Sequence, residues 1–491
     1  MDDYKNLAEF ALDCAQSSGR RCEYAEVRLD SNSTETITFI NGKLHIGNLP
    51  IDLTSDAFAR KTGLNIRLLV DGGMGMATTN QLTKESVINE VEYAYRSARR
   101  SSKQRKIPIK MSEEKVYETE WQSKYKINPM DVSLEERIEF IKGFVDLFKE
   151  KFLIEFIHIF VLLTEQRDTY FINSEGSKIS GHIPRVAFIP IIIGIKSGGQ
   201  NEQSMSNYAT SGGWDTLLSW NIKEKVAQKV KILADIVTTA KKPPKEEVDI
   251  ICGPDVAGII AHENCGHPHE ADRILGREGA QAGESYLREH KLGFKIGNDC
   301  VNVSEDPTLD GSYGFYLFDD EGVKARRRQL IKNGLFNEML QNRETAAIFQ
   351  TQSNAAARAT SYDREPIIRM ANTYFEPGDY SLEEMVEDVD IGIFMKSFTE
   401  WNIDDKRLQS KYVGQEAYLI LNGEITDTLI RKPALEITSP GLFGSIDAQG
   451  KKENVEWQGA FCGKSEPGQG APVWTGGPNI RLRNIKLSLG E

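Results

Sequence analysis

"VDIICGPDVAGIIAHENCGHPHEADR", Val248 to Arg273, is the stretch on which the fold turns. "VDIIC" reads as a short apolar strand. "GPDVAGII" then opens a helix with Pro254 near its first turn, where the missing backbone N–H has no helical partner to lose. Just before it, "AKKPPKEE", Ala240 to Glu247, is the clearest break in the chain, because paired prolines and charges end a continuing element. The chain therefore divides at this point. We expect an N-terminal hairpin–helix unit over 1–110, a middle α/β segment packed with it over 111–245, and a C-terminal unit over 246–491 that carries the helix.

Upstream, Tyr4 to Ser17 reads as a helix. "YAEVRLDSNSTETITFINGKLHIGN" alternates apolar and polar residues and turns at Asn41-Gly42, a hairpin signature. "GLNIRLLVDGGMGMATTN" reads as a second hairpin around Asp71-Gly72-Gly73. It lacks the strand–GxGxxG–helix context of a nucleotide site. Thr83 caps a helix running through "TKESVINEVEYAYRSARR", and Ser101 to Asn128 reads as a polar connector. In the middle segment a helix over "SLEERIEFIKGFVDLFKEKF" precedes strands at "IEFIHIFVLLTEQRDTYFINSEGSKISG" and "RVAFIPIIIGI". "SGGQNEQSMSNYATSGGW" reads as an irregular loop, and Trp220 to Thr239 as a long amphipathic helix. From Tyr313 onward short strands dominate, with turns at Lys332-Asn333-Gly334, Pro377-Gly378-Asp379 and Leu421-Asn422-Gly423. The class is α+β with a strand-rich C-terminal half.

The bulk numbers exclude several classes. The chain has 491 residues, 40% hydrophobic and 27% charged, with a net charge of -12. An acidic chain is a poor partner for nucleic acid, which wants a basic surface. The start has no basic segment followed by an apolar run, so no signal peptide is expected. "FLIEFIHIFVLL", Phe152 to Leu163, is too short to span a bilayer; it reads as buried structure, with His158 a satisfied core histidine. Six scattered cysteines (Cys14, Cys22, Cys252, Cys265, Cys300, Cys462) do not make a disulfide framework and fit a reducing cytoplasm. Cys252 and Cys300 read as small buried residues. "KARRRQ", Lys324 to Gln329, could bind a peptide's terminal carboxylate, but reads better as a solvated face.

The candidate site lies inside the opening stretch. His262, Glu263 and His267 almost spell H-E-x-x-H, the zinc-protease helix, with one residue too many. Five apart on a regular α-helix, the two imidazoles diverge by roughly 140° and cannot share an ion. A single π-type turn of about 4.4 residues would bring them back to one face. Gly266 makes the backbone compliant there, so a distorted or ending helix is expected at Asn264 to His267. A catalytic zinc takes three protein ligands and leaves one position open, while a nearby carboxylate moves the proton. Local candidates for the third ligand are Cys265, His269, Glu270 and Asp272. Of the distant cysteines Cys462 stands out, within the Gly/Pro-rich "GAFCGKSEPGQGAPVWTGGPNIRLRNI", where backbone can approach a ligand closely.

These blocks together resemble the TldD/PmbA family, specifically its TldD-type zinc metallopeptidase branch. The resemblance runs through "GLNIRLLVDGGMGMATTN", "AHENCGHPHEADR", "GSYGFYLFDDEGVKARRRQLIKNGLFNEMLQNRETA", "REPIIRMANTYFEPGD", "QEAYLILNGEITDTLIRKPAL" and "FCGKSEPGQGAPVWTGGPNIRLRNI" in that order. It implies one zinc ion on His262, His267 and Cys462, with Glu263 as general base, and a catalytic rather than TldE-type chain. Cys265 inside the motif is a competing thiolate. The resemblance further implies hydrolysis of unfolded or short peptides, and a TldE/PmbA-type homologue or a second copy as partner. The implied fold has an α/β N-terminal half and a C-terminal half of antiparallel sheet curling toward a barrel. Two other functions stay open: a non-catalytic binding or regulatory protein of the gyrase- and toxin-modulator kind, and a zinc amidase acting on a non-peptide amide.

Overall fold

The computed structural model describes residues 2–17, 21–45, 58–149, 152–279, 282–465 and 468–490. The N-terminal half is organised by three unusually long strands, Tyr24–Ile40, Glu155–Asn173 and Lys178–Ile195, in a nine-stranded sheet. Both hairpin turns fall where the dipeptides demand. Asn41 and Gly42, and Asp71 and Gly72, all take positive φ, the geometry that matches strand twist in a two-residue loop.

Burial along these strands is uneven. At one end Val27, Leu29, Leu64 and Ile66 pack beneath the helices Asp2–Gln16 and Lys84–Gln104. At the other, Phe160, Leu162 and Phe188 pack beneath Leu134–Val145 and Ile222–Thr239. Between the two apolar ends, "SNSTE" of the first strand and "TEQRD" of the second form a polar, half-buried waist, with Asn32 opposite Arg167 and Thr34 opposite Glu165. Two helix layers thus cover the ends and leave the waist to the C-terminal half.

Several expectations need correction here. The Ser101–Asn128 connector is partly structured: the helix continues to Gln104, and Glu118–Gln122 is a strand pairing parallel with Lys178 to His182. The expected loop after Ser197 holds two short strands, Asn201–Met205 and Tyr208–Thr210, on the long strand Lys178–Ile195. His158 is a core residue stacked 4.2 Å from Phe148, but neither of its ring nitrogens has a partner among the described residues. Burial alone depresses its basicity, and the neutral ring tolerates the site.

The C-terminal half contains a nine-stranded and a six-stranded sheet. It is not the purely antiparallel sheet expected: Glu247–Cys252 runs parallel to Ile391–Met395, and Asn372–Phe375 parallel to Gln469–Gly477. Neither sheet closes into a barrel among the described residues. The helix Pro254–Ile260 is wedged beside the six-stranded sheet. A Cβ on Gly258 would stand 2.6 Å from the amide of Gly476, so only glycine lets helix and strand approach this closely. No helix among the described residues is long and apolar enough to cross a membrane.

Candidate metal centre

Residues Ala261–Gly266 form a π-helical turn, and the amide of His267 donates to the carbonyl of His262, five residues back. The turn then tightens into a 3-10 segment, His267–His269. The out-of-register spacing is absorbed in this way, and the two imidazole rings come to 4.8 Å apart between centroids. Gly266 acts differently from the expectation. Its φ is an ordinary -53°, so backbone freedom is not what the turn uses. A Cβ there would meet the sulfur of Met370 at 1.9 Å; the glycine is needed for contact.

The turn is pinned from several sides. The Asn264 amide donates to the hydroxyls of Ser410 and Ser439, at 3.1 and 2.8 Å, and its carbonyl accepts from the Tyr412 hydroxyl. Met370 and the strand Gln469–Gly477 hold the other side. From the neighbouring strand Glu456–Lys464, Cys462 reaches in, its Sγ 3.2 Å from Nε2 of His267. One ligand atom from each of His262, His267 and Cys462 lies within 4.8 Å of the others, and all three side chains are buried.

Electrostatics favour a metal-ready donor set. Burial pushes the Cys462 thiol up, but His267, Arg369 and His262 outweigh it and hold it well below its ordinary value of 9.0. A thiolate and imidazoles converging on one point suit zinc. Nδ1 of His262 is buried without a partner among the described residues. Nδ1 of His267 is paired with Glu270 Oε2 at 3.0 Å, which turns Nε2 toward Cys462 and fixes the ring.

The local alternatives for a third ligand are otherwise engaged. Cys265 lies in the apolar core and burial drives its thiol well up, so it stays protonated and apart from the cluster. Nδ1 of His269 donates to the backbone carbonyl of Cys265 at 2.6 Å, and burial pushes the imidazole down to about 4. Glu270 meets Arg273 at 2.6 Å and Lys464 at 3.2 Å, and Asp272 meets Lys464 at 2.7 Å. Cys252 is buried as expected, whereas Cys300 is exposed.

Glu263 is buried beside the cluster. Its Oε1 accepts the indole N–H of Trp401 at 3.1 Å and its Oε2 meets Arg407 at 2.5 Å. Burial pushes its carboxyl up, but His267, Arg407 and His262 together pull it below the ordinary value of 4.5. The sequence offered no sign of Trp401 or Arg407, which come from a hairpin far along the chain. Glu270 was named as a candidate ligand, whereas its carboxylate orients His267 and pairs with Arg273. The "KARRRQ" run is accounted for by local pairing: Arg326 binds Glu338, Arg327 binds Glu376, and Arg328 is buried against Glu305. Its outer two arginines are half exposed, but the third is not the solvated residue expected.

Two buried imidazoles, a thiolate and an adjacent carboxylate define a candidate mononuclear metal centre. Residues 245–489 match the family described as the PmbA/TldA metallopeptidase C-terminal domain. A metalloprotease of Methanocaldococcus jannaschii is 30% identical over 463 residues, spanning 94% of this chain and 96% of that protein. A zinc metalloprotease TldD homologue of Saccharolobus solfataricus is 25% identical, over 87% of this chain and 89% of its own. The crystal structure of TldE from Thermococcus kodakarensis has the same fold, with a TM-score of 0.73 at 18% identity and 99% of each chain covered. The chain belongs to the TldD/PmbA metallopeptidase family.

Proposed function

We propose that the chain is a zinc-dependent peptidase of the TldD type that hydrolyses unfolded or short peptides. The observation that carries this reading is the convergence of His262, His267 and Cys462 beside a buried, ionised Glu263. His262, His267 and Cys462 would hold one zinc ion per chain. A zinc ion there supplies a Lewis acid for a peptide carbonyl and makes a water molecule acidic near neutral pH. Glu263 takes the proton from the attacking water and returns it to the leaving amine. Trp401 and Arg407 each use one acceptor site on its oxygens and leave others open, so they aim the carboxylate without blocking it.

The substrate would lie extended along the Phe461 to Lys464 end of the edge strand Glu456–Lys464, which also carries Cys462; farther back the Gly459 amide is taken by the Asn207 carbonyl. Main-chain pairing at such an edge accepts any sequence, and this suits an enzyme for unfolded peptides. The chain works in the cytoplasm with a TldE/PmbA-type homologue or a second copy as partner; the shared fold with TldE supports the first. The unit over 246–491 would carry the whole metal centre.

The test is cleavage of an unstructured peptide by the zinc-loaded chain, beside Glu263→Ala with matched zinc content. The variant should lose about 10²–10⁴-fold in kcat. Equal rates would remove Glu263 from the mechanism. No cleavage, with a TldE-type homologue added, would return the chain to the binding-protein reading.

A further inference from the structure

The polar waist of the N-terminal sheet faces the C-terminal half across a cavity of about 360 Å³. Asn32, Glu165 and Arg185 line one wall; Arg358, Arg369 and Phe461 line the other. The charges in this cavity do not balance. Other buried guanidiniums meet carboxylates: Arg328 with Glu305, Arg273 with Glu270, Arg407 with Glu263 and, on this cavity's own wall, Arg167 with Asp30. Even Arg185 has Glu165 at 3.4 Å.

Arg358 and Arg369 differ. Arg358 donates to the carbonyls of Met370 and Pro472, at 2.6 and 3.0 Å, and its guanidinium stands 5.3 Å over the ring of Tyr316. Arg369, 1% exposed, donates to the carbonyls of Gln469 and Cys462. Its Nε is buried with no partner among the described residues. Among the described residues neither has a carboxylate at ion-pair distance. Burial, with Arg185 and Arg369 close by, pushes Arg358 down to about 10. Two buried cations on one cavity wall are costly to desolvate unless an anion joins them.

The site adjoins the metal centre. Arg369 holds the carbonyl of Cys462, and Ala471, a lining residue, is the cross-strand partner of Cys462. We infer that Arg358 and Arg369 form an oxyanion subsite that receives the terminal carboxylate of the peptide being cut. Guanidinium forks match a carboxylate's two oxygens. The assignment rests on the peptidase reading. It makes the enzyme one that acts close to a free C-terminus, so the peptides it takes are the ends left by earlier proteolysis.

The experiment uses the zinc-loaded full chain and a fluorescent tripeptide as its free acid and as its C-terminal amide. The acid should bind about tenfold or more tighter. Arg358→Gln should bring the acid to the affinity of the amide. Equal binding of acid and amide to the unmodified chain overturns the subsite without reference to any variant's folding. Inorganic phosphate displacing the acid at concentrations below the peptide's own Kd would assign the anion to a phosphate source and overturn the peptide carboxylate. Cleavage of a denatured protein, run in parallel with a TldE-type homologue added, separates the two readings. Cleavage with no acid preference sinks the subsite alone; acid preference with no cleavage sinks the peptidase alone.

Discussion

The apolar ends of the long N-terminal strands are held by aliphatic packing at one end and ring packing at the other, whereas the turn that carries His262 and His267 is held largely by polar and charged groups. Phe188 is fully buried and lies 4.6 Å from Phe144 and 5.1 Å from Phe140 between ring centroids. Around the turn, Asn264, Glu270, Arg273 and Lys464 do the corresponding work through hydrogen bonds and ion pairs. Apolar packing is tolerant of small shifts and reads no direction. Hydrogen bonds fix orientation, and a metal centre needs ligand atoms held within fractions of an ångström. The turn therefore accepts the desolvation of several charges.

If the regions differ in this way, damage to each should show in a different measurement. Phe188→Ala removes a ring from the centre of the N-terminal cluster and should cost about 3–5 kcal/mol of unfolding free energy, with zinc affinity of the folded fraction unchanged. Denaturant titration alongside zinc binding decides it. A folded variant with weakened zinc binding would break the comparison, since the sheet would then be setting the geometry of the site.

Glu270→Gln is the converse change. It should raise the zinc Kd by about 10–100-fold, because the carboxylate that orients His267 loses its charge. The pH dependence sharpens the point. Burial pushes Glu270 up, yet Lys464, His267 and Arg273 hold it well below its ordinary value of 4.5. A carboxyl depressed in the folded state stabilises the protein above its unfolded value, and that contribution is lost as pH falls through the folded value. Unfolding free energy should thus fall on acidification below about pH 4.5 more steeply in the parent than in Glu270→Gln. Parallel curves would mean that Glu270 is not ionised in the fold.

The same contrast explains what the sequence disclosed. The hairpins at Asn41-Gly42 and Asp71-Gly72 were legible because a two-residue turn is set by its own residues. The π-turn was legible because a five-residue spacing leaves a helix few ways to bring His262 and His267 together. Cys462 entered through resemblance and a glycine-rich context. The strand Glu118–Gln122 was hidden because its pairing with Lys178 to His182 is long-range and its own residues alternate between exposed and half-buried. Gly266 was identified for the wrong property, since a contact with Met370 cannot be read from local sequence. Trp401, Arg407 and Arg358 were silent, and Arg369 was seen only as part of the block "REPIIRMANTYFEPGD" with no role, because a long side chain belongs to whatever it meets in space.

Trp401 gives the smallest of the expected effects and tests how finely the polar frame is tuned. It sits on the edge strand Phe398–Ile403, 42% exposed, its ring 5.7 Å from that of Phe398. Its indole N–H donates to Glu263 at 3.1 Å. Trp401→Phe keeps a ring on the hairpin and removes that donor, while Arg407 still holds the other carboxylate oxygen. A partly solvated hydrogen bond is worth about 1 kcal/mol, so kcat should fall about fivefold. KM should stay level if Glu263 moves a proton and binds no part of the substrate. A rise in KM with kcat unchanged would place the indole against the peptide. No change in either would leave Arg407 as sufficient to aim the carboxylate, and the frame around Glu263 would then be coarser than the one around His267.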